Sequence, residues 1–278
     1  MLRTAGFVLA VLLAAAIGFA IWAVGIEPGW VTARETRVPI ARWPADLGPL
    51  RIAALADLHT GAPHITVDKV REIVATVNAA KPDVIVLLGD YVIHGVIGGR
   101  FVDIEQTAAV LRDLNAPLGV FAVLGNHDWW YDGRRSTRAL EAVGIRVLED
   151  AATEVSVRGH PLWIAGVSDA MTRPAAIGRA LAPVPEGAPL IVLTHNPDVF
   201  VRMPARVLLT LAGHTHGGQV NLPVLGRLVV PSHFGDRYAI GHVHEDDRDL
   251  FVSPGIGTSI LPVRFRVPPE ISLVTLGR

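Results

Sequence analysis

The sequence predicts an α/β domain built on two packed sheets, with one apolar helix in front of it. Three observations predict this. Short β-branched runs alternate with helical periods from Arg51 to about residue 143. Closely spaced strands then dominate to the C-terminus, with no internal repeat and no low-complexity segment. An uncharged run from Ala5 to Ile26 precedes everything else.

Composition narrows the class. Of 278 residues, 50% are hydrophobic and only 18% are charged, which excludes a disordered chain. The net charge is -1, so there is no polycationic surface for nucleic acid, and no nucleic-acid partner is expected. Cysteine is absent, which excludes a disulfide scaffold, a thiolate metal site and a cysteine nucleophile.

The run from Ala5 to Ile26 is interrupted only by Gly6, Gly18 and Gly25. About 20 apolar residues span a hydrocarbon core as a helix. Arg3 precedes the run, and Trp22 and Trp30 sit near its far end, where aromatic side chains favour the membrane interface. A retained anchor and a cleaved signal peptide, with Gly18 and Ala20 before the cut, compete here. The run continues past that cut, which favours the anchor. The expected localisation is membrane-anchored with an extracytoplasmic catalytic domain, and secretion after cleavage is the alternative. Arg34, Arg37 and Arg42 after the span weaken the orientation argument. The expected division is 1–27 anchor or signal, 28–49 linker and lead-in, and 50–278 catalytic domain.

The elements follow in order. A short strand is expected near Val38 and another at Ile52–Ala56. Thr66 caps a helix with apolar Val67, Val70, Ile73, Val74 and Val77 at helical period. Asp83–Leu88 is a continuous β-branched strand of the kind buried on both faces. A helix with Ala108, Leu111 and Leu114 leads to the strand Leu118–Leu124, and another helix lies near Thr137–Val143. Strands follow at Val155–Val157 and Leu162–Val167, then a helix near Ala175–Leu181, then strands at Leu190–Thr194 and Val207–Leu211. The tail gives strands at Gln219–Leu222, Leu228–Val230, Leu250–Ser253 and Ile271–Leu276.

Function is carried by what ends the strands. Successive apolar strands run into Asp57-Leu58-His59, Gly89-Asp90, Gly125-Asn126-His127-Asp128, Thr194-His195-Asn196 and Gly213-His214-Thr215-His216. Ligands of open α/β sheets bind outside the carboxyl ends of strands. In Asp-x-His and His-x-His, residues two apart on an extended chain point to one side. Imidazole nitrogens, carboxylate oxygens and an amide oxygen suit first-row divalent ions. Seven ligands are too many for one four-coordinate ion and suit two ions sharing a bridge. Two carboxylates supply about -2 against about +4, an excess that favours a phosphate group, and paired ions are the usual apparatus for displacement at phosphorus.

At this point the chain resembles the calcineurin-like metallophosphoesterases. Asp57-x-His59, Gly89-Asp90, Gly125-Asn126-His127-Asp128, His195 and Gly213-His214-x-His216 match that family in order, over roughly residues 50 to 278. The tail motifs Gly213–Gln219, Ser253–Thr258, Arg264 and Pro268–Ile271 resemble a membrane-associated or exported bacterial phosphodiesterase subgroup. The resemblance implies an α/β/β/α layered sandwich and two divalent ions among Mn, Fe, Zn, Co and Ni, with Mn favoured. It implies Asp57, His59 and His216 on the first ion, Asn126, His195 and His214 on the second, and Asp90 bridging. It gives His127 the phosphate and leaving oxygen, with a metal-bound hydroxide attacking in line. The implied reaction is hydrolysis of a phosphodiester or pyrophosphate on a lipid or envelope-linked substrate, such as UDP-2,3-diacylglucosamine. A phosphomonoesterase on nucleotides or phosphoproteins is the enzymatic alternative, and a non-catalytic scaffold is the alternative of another class.

Other residues get weaker expectations. His64, His94, His160, His233, His242 and His244 read as surface or loop residues, with His94 near the mouth. Asp128 reads either as support for a histidine or as the polar end of a turn. Arg264 and Arg266 flank Phe265, so one of them has the option of binding phosphate. Trp129, Trp130 and Tyr131 form either a packed loop or an apolar wall for substrate. Glu245, Asp246, Asp247 and Asp249 read as a solvated acidic turn.

Overall fold

The computed structural model describes residues 2–278, with side chains from residue 4 onward; the side chain of Arg3 lies outside the described residues. Helix α1 (Leu2–Ala20) continues through a π-helical segment, Ile21–Ile26, into a single turn at Glu27–Gly29. Strands then follow as β1 (Thr32–Pro39) and β2 (Leu50–Leu55). Helix α2 (Val67–Ala79), strand β3 (Val84–Leu87), helix α3 (Ile104–Leu111), strand β4 (Val120–Ala122), helix α4 (Asn126–Glu141) and strand β5 (Arg146–Val147) complete the first half. The second half contains β6 (Ala151–Val157), β7 (His160–Val167), α5 (Ile177–Leu181), β8 (Leu190–Thr194) and β9 (Leu209–Ala212). It closes with the small hairpin β10 (Asn221–Leu222) and β11 (Gly226–Arg227), then β12 (Gly241–Glu245), β13 (Arg248–Val252) and β14 (Glu270–Gly277).

Two six-stranded sheets result, ordered β1-β14-β2-β3-β4-β5 and β12-β13-β9-β8-β7-β6. In the first, β2, β3, β4 and β5 are parallel, and β14 enters antiparallel to β2. In the second, β7, β8, β9 and β13 are parallel between antiparallel outer strands. Alternation along each strand divides the core. Ile52, Ala54 and Ala56 face the second sheet, together with Val84, Val86 and Leu88. Ala53, Leu55, Ile85 and Leu87 face the helices α2, α3 and α4. Both faces of the central strands are therefore covered, as their continuous apolar runs require. Helix α2 forms where expected: the Thr66 side chain accepts from the Lys69 N–H at 3.1 Å, and Val70, Ile73, Val74 and Val77 are buried.

Several elements differ from the sequence reading. Residues 28–49 are more than a linker: β1 pairs with β14 over its whole length, and Trp43 and Leu47 are buried between the sheets. The stretch Asn126–Glu141 breaks at Asp132 (φ -168°, ψ 90°): its second part is the helix expected near Thr137, and the additional first part is opened by the polar Asn-His-Asp triplet. Strand β12 is an additional edge strand. Leu228–Val230 is not a strand; the hairpin strand is Gly226–Arg227, and Leu228 and Val229 are exposed. Asp249 is no part of a solvated turn. It is buried on β13 and bonded to the exposed His242 and His244 at 2.7 and 2.9 Å.

Candidate metal centre

The carboxyl ends of β2, β3 and β4 in one sheet, and of β8 and β9 in the other, converge on one place. Backbone bonds zip the turns together: Asp57 N to Gly89 O, His59 N to Asp90 O, and Gly213 N to His195 O, each at 3.0 Å. Gly89 has φ +93°, and a Cβ there would stand 2.4 Å from the Gly125 nitrogen, so only glycine lets the β3 and β4 turns approach this closely. Asp57, His59, Asp90, His214 and His216 all have positive φ. Non-glycine residues avoid this region, so these clustered donors sit on strained backbone.

All eight predicted side chains are buried and brought together. His59 Nε2 stands 3.2 Å from His216 Nε2, and His216 Nε2 stands 3.5 Å from Asp57 Oδ1. On the other side, His195 Nε2 is 3.1 Å from both Asn126 Oδ1 and His214 Nδ1. Between these groups, Asp90 Oδ2 lies 3.5 Å from His59 Nε2 and 3.4 Å from His195 Nε2. Two ligands about 2.1 Å from a shared tetrahedral ion stand about 3.4 Å apart, so this spacing fits ligands around ions. Donor atoms lie within 4.8 Å of one another in three sets: Asp57, His59 and His216; Asp57, Asp90 and His195; and His59, Asp90 and His127.

Electrostatics agree with a cation-binding role. Burial pushes His59 and His214 down to about 3 and His216 well below its usual value, so these rings are neutral and keep their lone pairs. Burial also pushes the Asp57 carboxyl up to about 7. Burial would raise Asp90 too, but the neighbouring His195, His127 and His59 outweigh it and hold that carboxyl well below the usual range. His195 is the counterpart: burial would lower it, and Asp90 outweighs burial and raises it well above. Apolar burial of this many ionisable groups calls for a counter-charge, and a divalent ion supplies one.

Asp128 does not touch this donor set through its carboxylate. It accepts from Asp90 N (2.8 Å), Tyr91 N (2.9 Å) and Gly125 N (2.9 Å), holding the strained Asp90 turn against the start of α4. Asp128 also accepts from Val92 N at 3.4 Å, so Asp128→Ala would leave four buried N–H groups without an acceptor, at about 1–3 kcal/mol each and not additive. We expect a stability loss of roughly 2–5 kcal/mol, read as a lowered calorimetric midpoint, together with reduced metal content at equal metal concentration.

One buried acid was missed. Asp169 follows β7 and is fully buried; its Oδ2 accepts from Met171 N and Thr172 N, and its charge acts on His195. The signal was present, since Val167 runs into Ser168-Asp169 as the other strands run into their ligands. The aromatic triplet divides. Trp129 is half-buried under the Arg173 guanidinium at 3.6 Å, Tyr131 donates to Asp103, and Trp130 is exposed with its ring 5.0 Å from that of His127. His94 lies at the same mouth, 6.2 Å from the His127 ring. Arg264 is not a phosphate binder: its buried guanidinium donates to the carbonyls of Pro254, Gly255, Gly257 and Val267. Arg266 is exposed.

A family model described as calcineurin-like phosphoesterase matches residues 50–246. The chain belongs to that family. It is a metal-dependent phosphoric ester hydrolase with the family's two-sheet fold, and its clustered His and Asp side chains are able to bind divalent metal. The uncharacterized metallophosphoesterase YkuE of Bacillus subtilis is 29% identical, over 90% of this chain and 87% of that protein. The phosphodiesterase YaeI of Escherichia coli is 29% identical, over 90% of each. A transmembrane protein with a metallophosphoesterase domain from Danio rerio is 28% identical, over 87% of this chain and 56% of that protein. Among the described residues, the stretch Thr4–Gly29 is long and apolar enough to cross a membrane, and almost none of it is buried.

Proposed function

We propose that this chain hydrolyses a phosphodiester or pyrophosphate carried by a lipid or envelope-linked molecule, at the membrane that its N-terminal helix enters. The observation that carries the reading is the position of Asp90, whose single Oδ2 faces both donor groups at 3.4–3.5 Å. In this reading Asp57, His59 and His216 hold one divalent ion, and Asn126, His195 and His214 hold a second, with Mn favoured. Asp90 lies between them. When bound, such ions supply Lewis acidity and bring the pKa of a water toward neutrality. The protein's own contribution is to fix these donors and to exclude bulk water. It also aims His127, whose backbone N–H donates to Asp90 Oδ1 at 2.9 Å and whose Nε2 lies 3.9 Å from Asp90 Oδ2. The His127 ring then donates a hydrogen bond to the phosphoryl or leaving oxygen.

The diester preference is supported by the relative named as a phosphodiesterase, and the lipid-linked substrate by the apolar helix. An exposed Trp130 beside His127 gives the mouth an apolar wall. In the proposed division 1–27 is the anchor and 50–278 the catalytic domain, to whose first sheet the lead-in 28–49 adds β1, with the catalytic domain outside the cytoplasm. The test is metal analysis of the full chain in detergent, with initial rates on matched mono- and diesters and on UDP-2,3-diacylglucosamine. Two metals per chain and faster diester turnover are expected. Faster monoester turnover, or one metal per chain, would refute the reading.

A further inference from the structure

The N-terminal helix does not leave the domain through a free tether. Ala23 is buried and its carbonyl accepts from the Arg264 N–H at 2.9 Å. Buried Glu27 accepts from Trp22 Nε1 at 2.6 Å and from Val267 N at 2.8 Å. His64 reaches the Val24 carbonyl at 2.7 Å, and Phe19 meets Phe265 edge-on with ring centroids 4.8 Å apart. Phe19 lies seven residues inside the end of the apolar run, about 10 Å along a helix. If the run crosses a bilayer, Phe265 and its loop sit at membrane depth.

That loop is the hub of the site's rim. Phe265 N donates to Gln219 O, three residues beyond His216, and Asn221 N donates to Phe265 O. Gln219 bonds to Ser259 and Leu261, and Ile97 N bonds to Ile260 O. The loops so tied together carry Ile97, Val224, Leu225, Val229, Ile260 and Leu261, all exposed. Val224 is fully exposed with φ +68°, and Ile260 is 68% exposed with φ +61°. β-branched residues disfavour positive φ, so the chain here is strained in a way that turns apolar side chains outward. A contiguous exposed apolar patch marks an interaction surface.

We infer that this patch is a second membrane-contacting element that lies in the bilayer interface beside the helix and turns the mouth of the metal centre toward the lipid surface. The occupant is lipid, because Phe265, in the loop that ties the patch together, packs on Phe19 of a helix fit to span a bilayer. The inference rests on the membrane reading of that helix and not on the choice of ester.

The absence of cysteine makes the test direct. Single-cysteine variants of the full chain, L225C, I260C, L12C and E186C, are labelled with an environment-sensitive fluorophore and reconstituted in phosphatidylcholine vesicles. Doxyl-labelled phosphatidylcholine is then added as quencher. Glu186 is exposed and precedes β8, at the opposite end of the sheet from the site. Labels at 225, 260 and 12 should lose about half of their emission or more, while the label at 186 keeps it. Quenching at 12 with none at 225 and 260 would overturn the patch alone. No quenching at 12 would overturn the membrane reading with it. Spin labels at 225 that broaden one another, without lipid contact, would assign the patch to a second copy of the chain and also overturn the inference.

Discussion

Asp90→Asn should lower turnover of bis(p-nitrophenyl) phosphate by about two to four orders of magnitude and reduce bound metal below two per chain. The substitution is nearly isosteric. Oδ1 still accepts the His127 N–H, and the backbone N–H still reaches Asp128, so the turn has no geometric reason to change. What changes is Oδ2. It is the oxygen that faces His59 and His195 together, and in the variant an N–H₂ group takes its place or the anion is gone. Removing one partner from a buried charged cluster costs about 3–5 kcal/mol, and each 1.4 kcal/mol is about tenfold in rate. Metal analysis and initial rates check the two halves separately. Full metal content with unchanged rates would remove Asp90 from the centre. The loss should also persist in metal-free protein as reduced stability, because His195 is held protonated chiefly by Asp90 against its burial. In the absence of metal, Asp57→Asn should differ: burial already holds that carboxyl up to about 7, so a neutral amide replaces a largely neutral acid near pH 6.

Much of this centre was readable because polar residues stand out where apolar strands stop. The strands Leu50–Leu55 and Leu190–Thr194 are apolar but for Arg51 and Thr194, and the donors Asp57 and His195 stand within two residues of their ends. The same logic reaches Asp169 after Val167, which escaped because one acid without a neighbouring histidine is a common turn residue. Elements were missed where the pattern is thin. β12 reads Gly-His-Val-His-Glu, with one apolar side chain, since an edge strand needs only one paired neighbour. Of β1 only the end near Val38 was expected; its earlier residues are rich in arginine and threonine and mostly exposed, and they form a strand because β14 pairs with them 238 residues away in sequence (Thr32 with Glu270). No local period reports such a partner. Arg264 shows the opposite limit. An arginine beside a phosphate-type site suggests an anion ligand, but its donors all go to backbone carbonyls that hold the Pro254–Gly257 turn against Asp57. Residue type was readable there, and direction was not.

His127→Ala should retain two metals per chain while turnover falls by about two to four orders of magnitude, mostly in kcat. The side chain is nearly buried, yet its Nδ1 has no partner and its ring edges the mouth between His94, Trp130 and His59. A buried ring nitrogen without a partner is costly to keep, which is understandable where a bound phosphate group completes it. Burial lowers its pKa, against the pull of Asp90, so at neutral pH the ring is neutral and carries one N–H. Such a ring donates to an oxygen that gains charge as the bond to phosphorus breaks, an interaction stronger in the transition state than in the ground state. His127→Gln, which keeps a donor at similar reach, should recover part of the loss, and a leaving group of low pKa should recover more, because it needs less help to depart. If alanine instead lowers metal content in step with activity, His127 belongs to the ligand set that also contains His59 and Asp90. The ratio of rate to bound metal therefore decides between the two roles. The first role predicts a ratio that collapses, and the second a ratio that stays constant.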